Sequence, residues 1–188
     1  MVRPLSDKKR NAILEAATRV IASQGMTAPT AVIAKEAGVS NGALFTYFDT
    51  KADLFNFLYR ELKQEMAQAA LEHAPAGASP RERMYQMWID WLHWSISSPE
   101  KHRALAHLEI SDDVTSDSRA FARNAMASII ELIEASREGG PLEDAPLPLV
   151  VALLSGIANS TIDFIVSDQA NTDAHITMSF EALWRIIA

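Results

Sequence analysis

The chain has 188 residues, 48% of them apolar and 22% charged, with no cysteine and a formal net charge of −7. That length suits one large domain or a small one joined to a larger one, and the composition is that of a folded globular protein. The absence of cysteine excludes disulfides and thiolate metal sites; no run approaches ~18 uninterrupted apolar residues and no apolar signal segment opens the chain, so a cytoplasmic protein without a membrane partner is expected.

The acidity is unevenly spread. Residues 1–51 hold seven basic and four acidic residues, net +3, while residues 52–188 hold ten basic and twenty acidic, net −10. Binding to phosphates follows local potential and not the sum over the chain. The asymmetry therefore predicts a basic module joined to an acidic body.

Every segment reads as helix, because no strand-length run alternates apolar and polar residues. A first helix is predicted from about 6 to 24, with Ser6 as N-cap, a stripe of Ile13, Ala17, Val20 and Ile21, and Gly25 closing it. A short second helix spans about 30–37, entered through Pro29 and ended by Gly38. Ser40 caps a third, 41–48. Thr50-Lys51-Ala52-Asp53 forms a capping box with Asp in place of the usual Glu. It opens a long helix, 51–72, that buries Leu54, Phe55, Leu58, Leu62 and Met66. Prolines, glycine and small residues at 73–80 mark a boundary, and a second Pro/Gly break lies at 139–148. Helices at 80–97, 100–112, 116–138, 147–167 and 172–187 complete an all-α chain of about nine helices. The expected division is an N-terminal domain over 1–51, a connecting helix over 51–72, and a second domain over 73–188.

Residues 30–52 carry the functional signal. Two short helices joined by a tight Gly-containing turn are the sequence form of a helix-turn-helix. Ile33, Ala34, Ala37, Val39, Leu44 and Phe48 supply a small core, with alanines where the helices must cross closely. Gly38 fits a position of positive φ. Asn41, Gly42, Ala43, Phe45 and Thr46 then have no internal role, on a helix too short to stand alone. Such a second helix lies in the major groove of DNA with its N-terminal residues at base edges. With Phe48 turned inward, Tyr47 and Lys51 face one side, and both suit phosphate oxygens.

The segment IAKEAGVSNGALFTYFDTKADLF resembles the DNA-binding signature of the tetracycline-repressor (TetR) family, close to I-A-x-x-A-G-V-S-x-G-x-L-Y-x-Y-F-x-[ST]-K-x-x-L. The resemblance covers residues 8 to about 66. It implies a one-component transcriptional repressor: a three-helix DNA-binding domain followed by a helical domain that binds a small molecule and forms a homodimer. By position it places base-proximal residues at Asn41, Gly42 and Ala43, with Ser40, Phe45 and Thr46 beside them. Phosphate contacts fall on Tyr47, Lys51 and a hydroxyl opening the second helix, Thr30 or alternatively Thr27. The sequence departs from the family at Phe45, where Tyr is commoner, and in a second-helix entry one residue shorter than usual. The implied partners are an inverted-repeat duplex operator, a small ligand and a second copy of the chain.

Met84, Met87, Trp88, Trp91 and Trp94 share one arc of helix 80–97. The pattern fits a packed core stripe, or the wall of an adaptable apolar site to which Phe121 and Met126 would add. A regulator controlled by a protein partner would have the core stripe alone. Helices 147–167 and 172–187 are apolar on two faces. Through the family resemblance, Leu153, Ile157, Phe164, Phe180, Trp184 and Ile187 are assigned to a dimer interface, with Ser155, Gly156 and Ala158 allowing close approach. His102, His107 and Glu109 are too unevenly spaced to share a helical face, so no metal site is expected. No cofactor motif or catalytic nucleophile is recognisable, and an enzyme is not expected.

Overall fold

The computed structural model describes residues 7–188, so the Ser6 cap lies outside the described residues. Among these, all regular structure is helical: α1 (Asp7–Gln24), α2 (Thr30–Glu36), α3 (Asn41–Leu44), α4 (Lys51–Ala70), α5 (Pro80–Ser97), α6 (Pro99–Glu109), α7 (Ser116–Ala125), α8 (Ala127–Ser136), α9 (Leu147–Ser167) and α10 (Thr172–Ile187), with a short 3-10 turn at Gln169–Asn171. Packing sorts them into two compact units that do not follow chain order. The first holds residues up to 64 together with 98–124, and the second holds 65–97 and 125–188.

In the first unit α1 packs on both α2 and α6. That explains why it buries Leu14, Ala16 and Thr18 besides the expected Ile13, Ala17, Val20 and Ile21. Two partners need two apolar faces, and α6 comes from far along the chain. The buried Thr18 hydroxyl donates back to the Leu14 carbonyl at 2.9 Å. The turn after α2 follows from Gly38, whose φ is +68°. Its N–H donates to the Lys35 carbonyl and that of Val39 to the Ala34 carbonyl, at 3.2 and 2.9 Å, which closes the helix in a Schellman motif. Thr50 caps α4 as expected: its oxygen accepts the Asp53 N–H at 3.0 Å and its hydroxyl donates to the Asp53 carboxylate at 2.8 Å.

A polar hub absent from the sequence reading ties α4 to the segment between α6 and α7. The Asn56 side chain, 4% exposed, uses its whole amide. Its nitrogen donates to the carbonyls of Ala52 (2.8 Å) and Asp113 (2.7 Å), and its oxygen accepts from the Thr115 N–H (2.8 Å) and hydroxyl (3.0 Å). One turn on, Tyr59 is 2% exposed with its hydroxyl 3.5 Å from Glu109, whose carboxylate also pairs with Lys63 at 2.9 Å. Burial, and then the Glu109 charge, push the Tyr59 phenol up to about 12. The native state thus retains a proton that the unfolded chain gives up near pH 10. Stability should be level below about pH 10 and fall as pH rises toward 12, by about 1–2 kcal/mol for this group. Urea midpoints of the wild type and Tyr59→Phe at about pH 9 and pH 11.5 check this: the difference between them should shift in favour of the variant at the higher pH.

In the second unit one core is built from Ala67 and Ala70 of α4, Met84, Met87, Trp88 and Leu92 of α5, Ile129, Leu132 and Ile133 of α8, and the inward faces of α9 and α10. The break between α8 and α9 is held by Arg137, whose guanidinium donates to the Leu142, Glu143 and Ala145 carbonyls at 2.6–2.8 Å. Gly140 lies against the last turn of α10, where any Cβ would overlap the Ile187 carbonyl.

Three boundaries differ from expectation, one of them the end of α6, at Glu109 instead of 112. Helix 116–138 is two helices, α7 and α8, parted at Met126 (φ −91°, ψ 2°). No Gly or Pro marks the break. α7 buries Ser118 and Ala122 in the first unit, whereas α8 buries Ile129, Leu132 and Ile133 in the second. The third helix ends at Leu44 instead of 48, and residues 45–47 continue as turns. α9 is long and apolar enough, at mean hydropathy 1.9, to cross a membrane by length and composition alone, although Ser155, Asn159, Ser160 and Asp163 interrupt its apolar residues.

Candidate functional site

The α2–turn–α3 segment buries four of its six expected core residues and leaves Ala37 and Val39 half-buried. Ile33, Ala34, Leu44 and Phe48 are all 5% exposed or less. Ser40, extended at ψ 153°, caps α3 by accepting the Ala43 N–H at 3.1 Å, which leaves its hydroxyl proton free to donate outward. Asn41 and Gly42 are exposed and Ala43 is half-buried. Gly42 has ordinary helical φ, and a Cβ there would meet no atom within 4 Å. Nothing among the described residues requires glycine at this position, although glycine costs a helix about 1 kcal/mol relative to alanine.

Phe45 is 38% exposed at the C-cap of α3. The Thr46 hydroxyl donates to the Ala43 carbonyl at 2.7 Å, so toward an outside group it offers only an acceptor oxygen. Such an oxygen suits a base amino group better than a phosphate. Tyr47 is half-buried beside the buried Phe48. Lys51 does not project freely. Its ammonium donates to the Met26 carbonyl at 2.8 Å and lies 5.1 Å from the Phe55 ring, which locks the start of α4 to the α1–α2 loop. Of the two hydroxyls at the entry to α2, Thr27 is exposed, and Thr30 is half-buried in the first turn behind Pro29. Neither caps the helix, because Pro29 holds the N-cap place. Arg19 of α1 reaches Glu36 of α2 at 2.7 Å, a surface pair that orients α2 and adds little stability.

Of the residues assigned to a sensor site, Met84, Met87 and Trp88 are in the core of the second unit at 3% exposure or less. Trp91 and Met126 are half-buried against the same core. Phe121 is not among them: it belongs to the first unit and is 42% exposed. The interface residues divide as well. Leu153 and Phe164 are exposed at 40% and 54%, and Ile157 and Trp184 are half-buried. Phe180 and Ile187, at 0% and 1%, are core residues of their own chain and have no surface to offer a partner. The error has a simple cause: α10 packs on both α5 and α9, so its more aromatic face turns inward. Its outward apolar residues are Met178 and Ile186. Ala158 is likewise fully buried, whereas Gly156 is open. His107 packs near Gly25, and Glu109 is engaged with Lys63.

Comparison with known proteins gives a consistent picture. The family model for bacterial regulatory proteins, tetR family, matches residues 13–58. The HTH-type transcriptional regulator PksA of Bacillus subtilis (strain 168) is 26% identical over 182 residues, covering 96% of this chain and 76% of that one. A solved structure from Shewanella sp. PV-4 is 29% identical with a TM-score of 0.82, covering 95% of this chain and 97% of the other. A TetR family transcription regulator from Marinobacter aquaeolei VT8 shares the fold at a TM-score of 0.84 and 24% identity, covering 95% and 94%.

Proposed function

Since the chain belongs to the tetR family of DNA-binding transcriptional regulators, we propose that it is a cytoplasmic repressor that binds an inverted-repeat operator as a homodimer and is released by a small apolar or aromatic ligand. The observation that carries the DNA reading is α3 itself. It presents exposed Asn41 and Gly42 at a capped N-terminus, with a glycine that no internal contact explains. A duplex approaching closely supplies the missing reason. We assign DNA binding to residues 1–51 and ligand binding and dimerisation to 73–188, with α4 joining the two. Base contacts are assigned to Asn41, Gly42, Ala43 and Thr46, with Phe45 beside them. Ser40, Tyr47, Lys51 and Thr30 take the phosphates. The ligand lies against Trp91 and Met126, the assigned residues of the second unit that keep accessible surface.

The test is selection from random duplexes followed by titration against salt. An enriched inverted repeat is expected, with affinity falling steeply as salt rises. Lys51→Ala should weaken all duplexes alike and reduce the salt slope by about one per subunit, because phosphates carry no base identity. Asn41→Ala should relax preference at particular base pairs, by about 1–3 kcal/mol. Gly42→Leu, whose Cβ meets no described atom within 4 Å, should abolish operator binding while leaving the fold unchanged. Failure to enrich any inverted repeat refutes the operator reading.

A further inference from the structure

Three of the chain's four tryptophans, Trp88, Trp91 and Trp94, stand on α5, and their indole N–H groups differ in what they meet. That of Trp94 donates to the Glu65 carboxylate at 3.0 Å, and that of Trp88 to the Ser179 hydroxyl at 3.1 Å. The Trp91 Nε1 is buried and has no acceptor. A buried donor left unpaired is rare in folded proteins and costs the full desolvation of the group. The one other such atom among the described residues, His175 Nδ1, sits in a ring whose tautomer can leave that nitrogen an unfilled acceptor. An indole has no such freedom, since its nitrogen can only donate.

The surroundings say what would complete it. Trp91 meets Trp88 edge to face, with centroids 5.8 Å apart, and packs against the apolar core of the second unit. Unlike Trp88, which is fully buried, Trp91 keeps part of its ring outside that core, so a molecule can reach the ring, and it reaches the buried Nε1 only as the ring shifts. We infer that Trp91 is the specificity-determining donor of the sensor site, and that the ligand is an apolar molecule carrying one hydrogen-bond acceptor, a carbonyl, carboxylate or ether oxygen. The acceptor takes the Trp91 N–H while the apolar body lies on the accessible part of the Trp91 ring. This rests on the reading of α5 as the sensor wall. It excludes ligands whose only polar groups are donors, such as an alkylammonium, because these leave the indole unpaired. An isostere lacking the acceptor loses the same hydrogen bond.

The intact protein labelled with 15N at tryptophan gives one indole signal per tryptophan, four in all. That of Trp91 is identified by its loss in Trp91→Phe. Benzophenone and diphenylmethane serve as probes, equal in their two rings and differing in one carbonyl oxygen. Benzophenone should bind at least about tenfold more tightly and move the Trp91 signal downfield. In Trp91→Phe that preference should fall to within about twofold, with diphenylmethane affinity little changed. Benzothienylalanine at position 91, which exchanges N–H for sulfur at nearly equal volume, repeats the test if phenylalanine loosens the core. The inference is overturned if benzophenone shifts the Trp88 or Trp94 signals but not that of Trp91, or if its preference survives in both variants. It is also overturned if a resident water cross-relaxes with the Trp91 indole proton and persists when benzophenone is bound. If neither probe moves any α5 indole signal, the sensor-wall reading itself falls, and the inference with it.

Discussion

Replacing Phe164 with glutamate should convert a dimer into a monomer and lower affinity for a two-half-site operator at least about a hundredfold, because the second half-site is then no longer bound intramolecularly. The exposed residues of α9 form a stripe at helical spacing, Leu149, Leu153, Gly156, Ser160 and Phe164, with Phe164 at 54% and Leu149 at 50% exposure. Met178 and Ile186 extend the apolar surface on α10, at 61% and 39%. Large apolar side chains exposed on one helix face mark an interaction site, and an isologous interface needs one self-complementary patch. Glutamate at 164 is solvated in the monomer, so the single chain keeps its fold; in the dimer it would be buried without a partner. Gly156 separates interface from fold more sharply. A Cβ there meets no described atom within 4 Å, so Gly156→Ala should stabilise the helix by up to about 1 kcal/mol while Gly156→Leu prevents close approach of a second α9. Sedimentation and circular dichroism check both variants. A wild type that is monomeric at micromolar concentration, or a Phe164→Glu protein that remains dimeric, would remove the proposal.

The second large effect is on stability. Asn56→Ala should lower unfolding free energy by about 2 kcal/mol, since it strands the Asp113 carbonyl and the Thr115 N–H at a part-buried site. All four hydrogen bonds of the Asn56 amide are made, two to each of its ends. Asn56→Asp provides the sharper comparison. Its oxygens can accept from Thr115, but a carboxylate then faces the Ala52 and Asp113 carbonyls, where the amide nitrogen donated. It should therefore be at least as destabilising as alanine at neutral pH, and recover in acid as the carboxyl gains a proton to donate. Urea unfolding at about pH 7 and pH 5 measures both. An alanine variant within about 0.5 kcal/mol of wild type would show that the network contributes nothing net.

Local chemistry alone determined most of the helix limits and the form of the DNA-contacting segment. Gly38 must take a positive φ after α2, Thr50 has its capping partner three residues on, and Ser40 precedes a turn whose Ala43 N–H needs an acceptor. Each of these depends on neighbours a few residues away, so the sequence displays them. The roles of side chains set by distant partners were not legible. Lys51 is drawn to the Met26 carbonyl, and Asn56 to Thr115, across 25 and 59 residues of chain. A polar residue in the otherwise apolar run Leu54–Tyr59 was the one visible sign of the hub. Only tertiary packing parted α7 from α8 and chose which apolar face of α10 turns inward, because both faces satisfy helical periodicity equally. Phe180 fell to the core and Met178 to the surface once α5 and α9 had taken the other side. Periodicity shows that a helix has two apolar faces, and the order in which those faces are covered depends on helices that the local sequence does not contain.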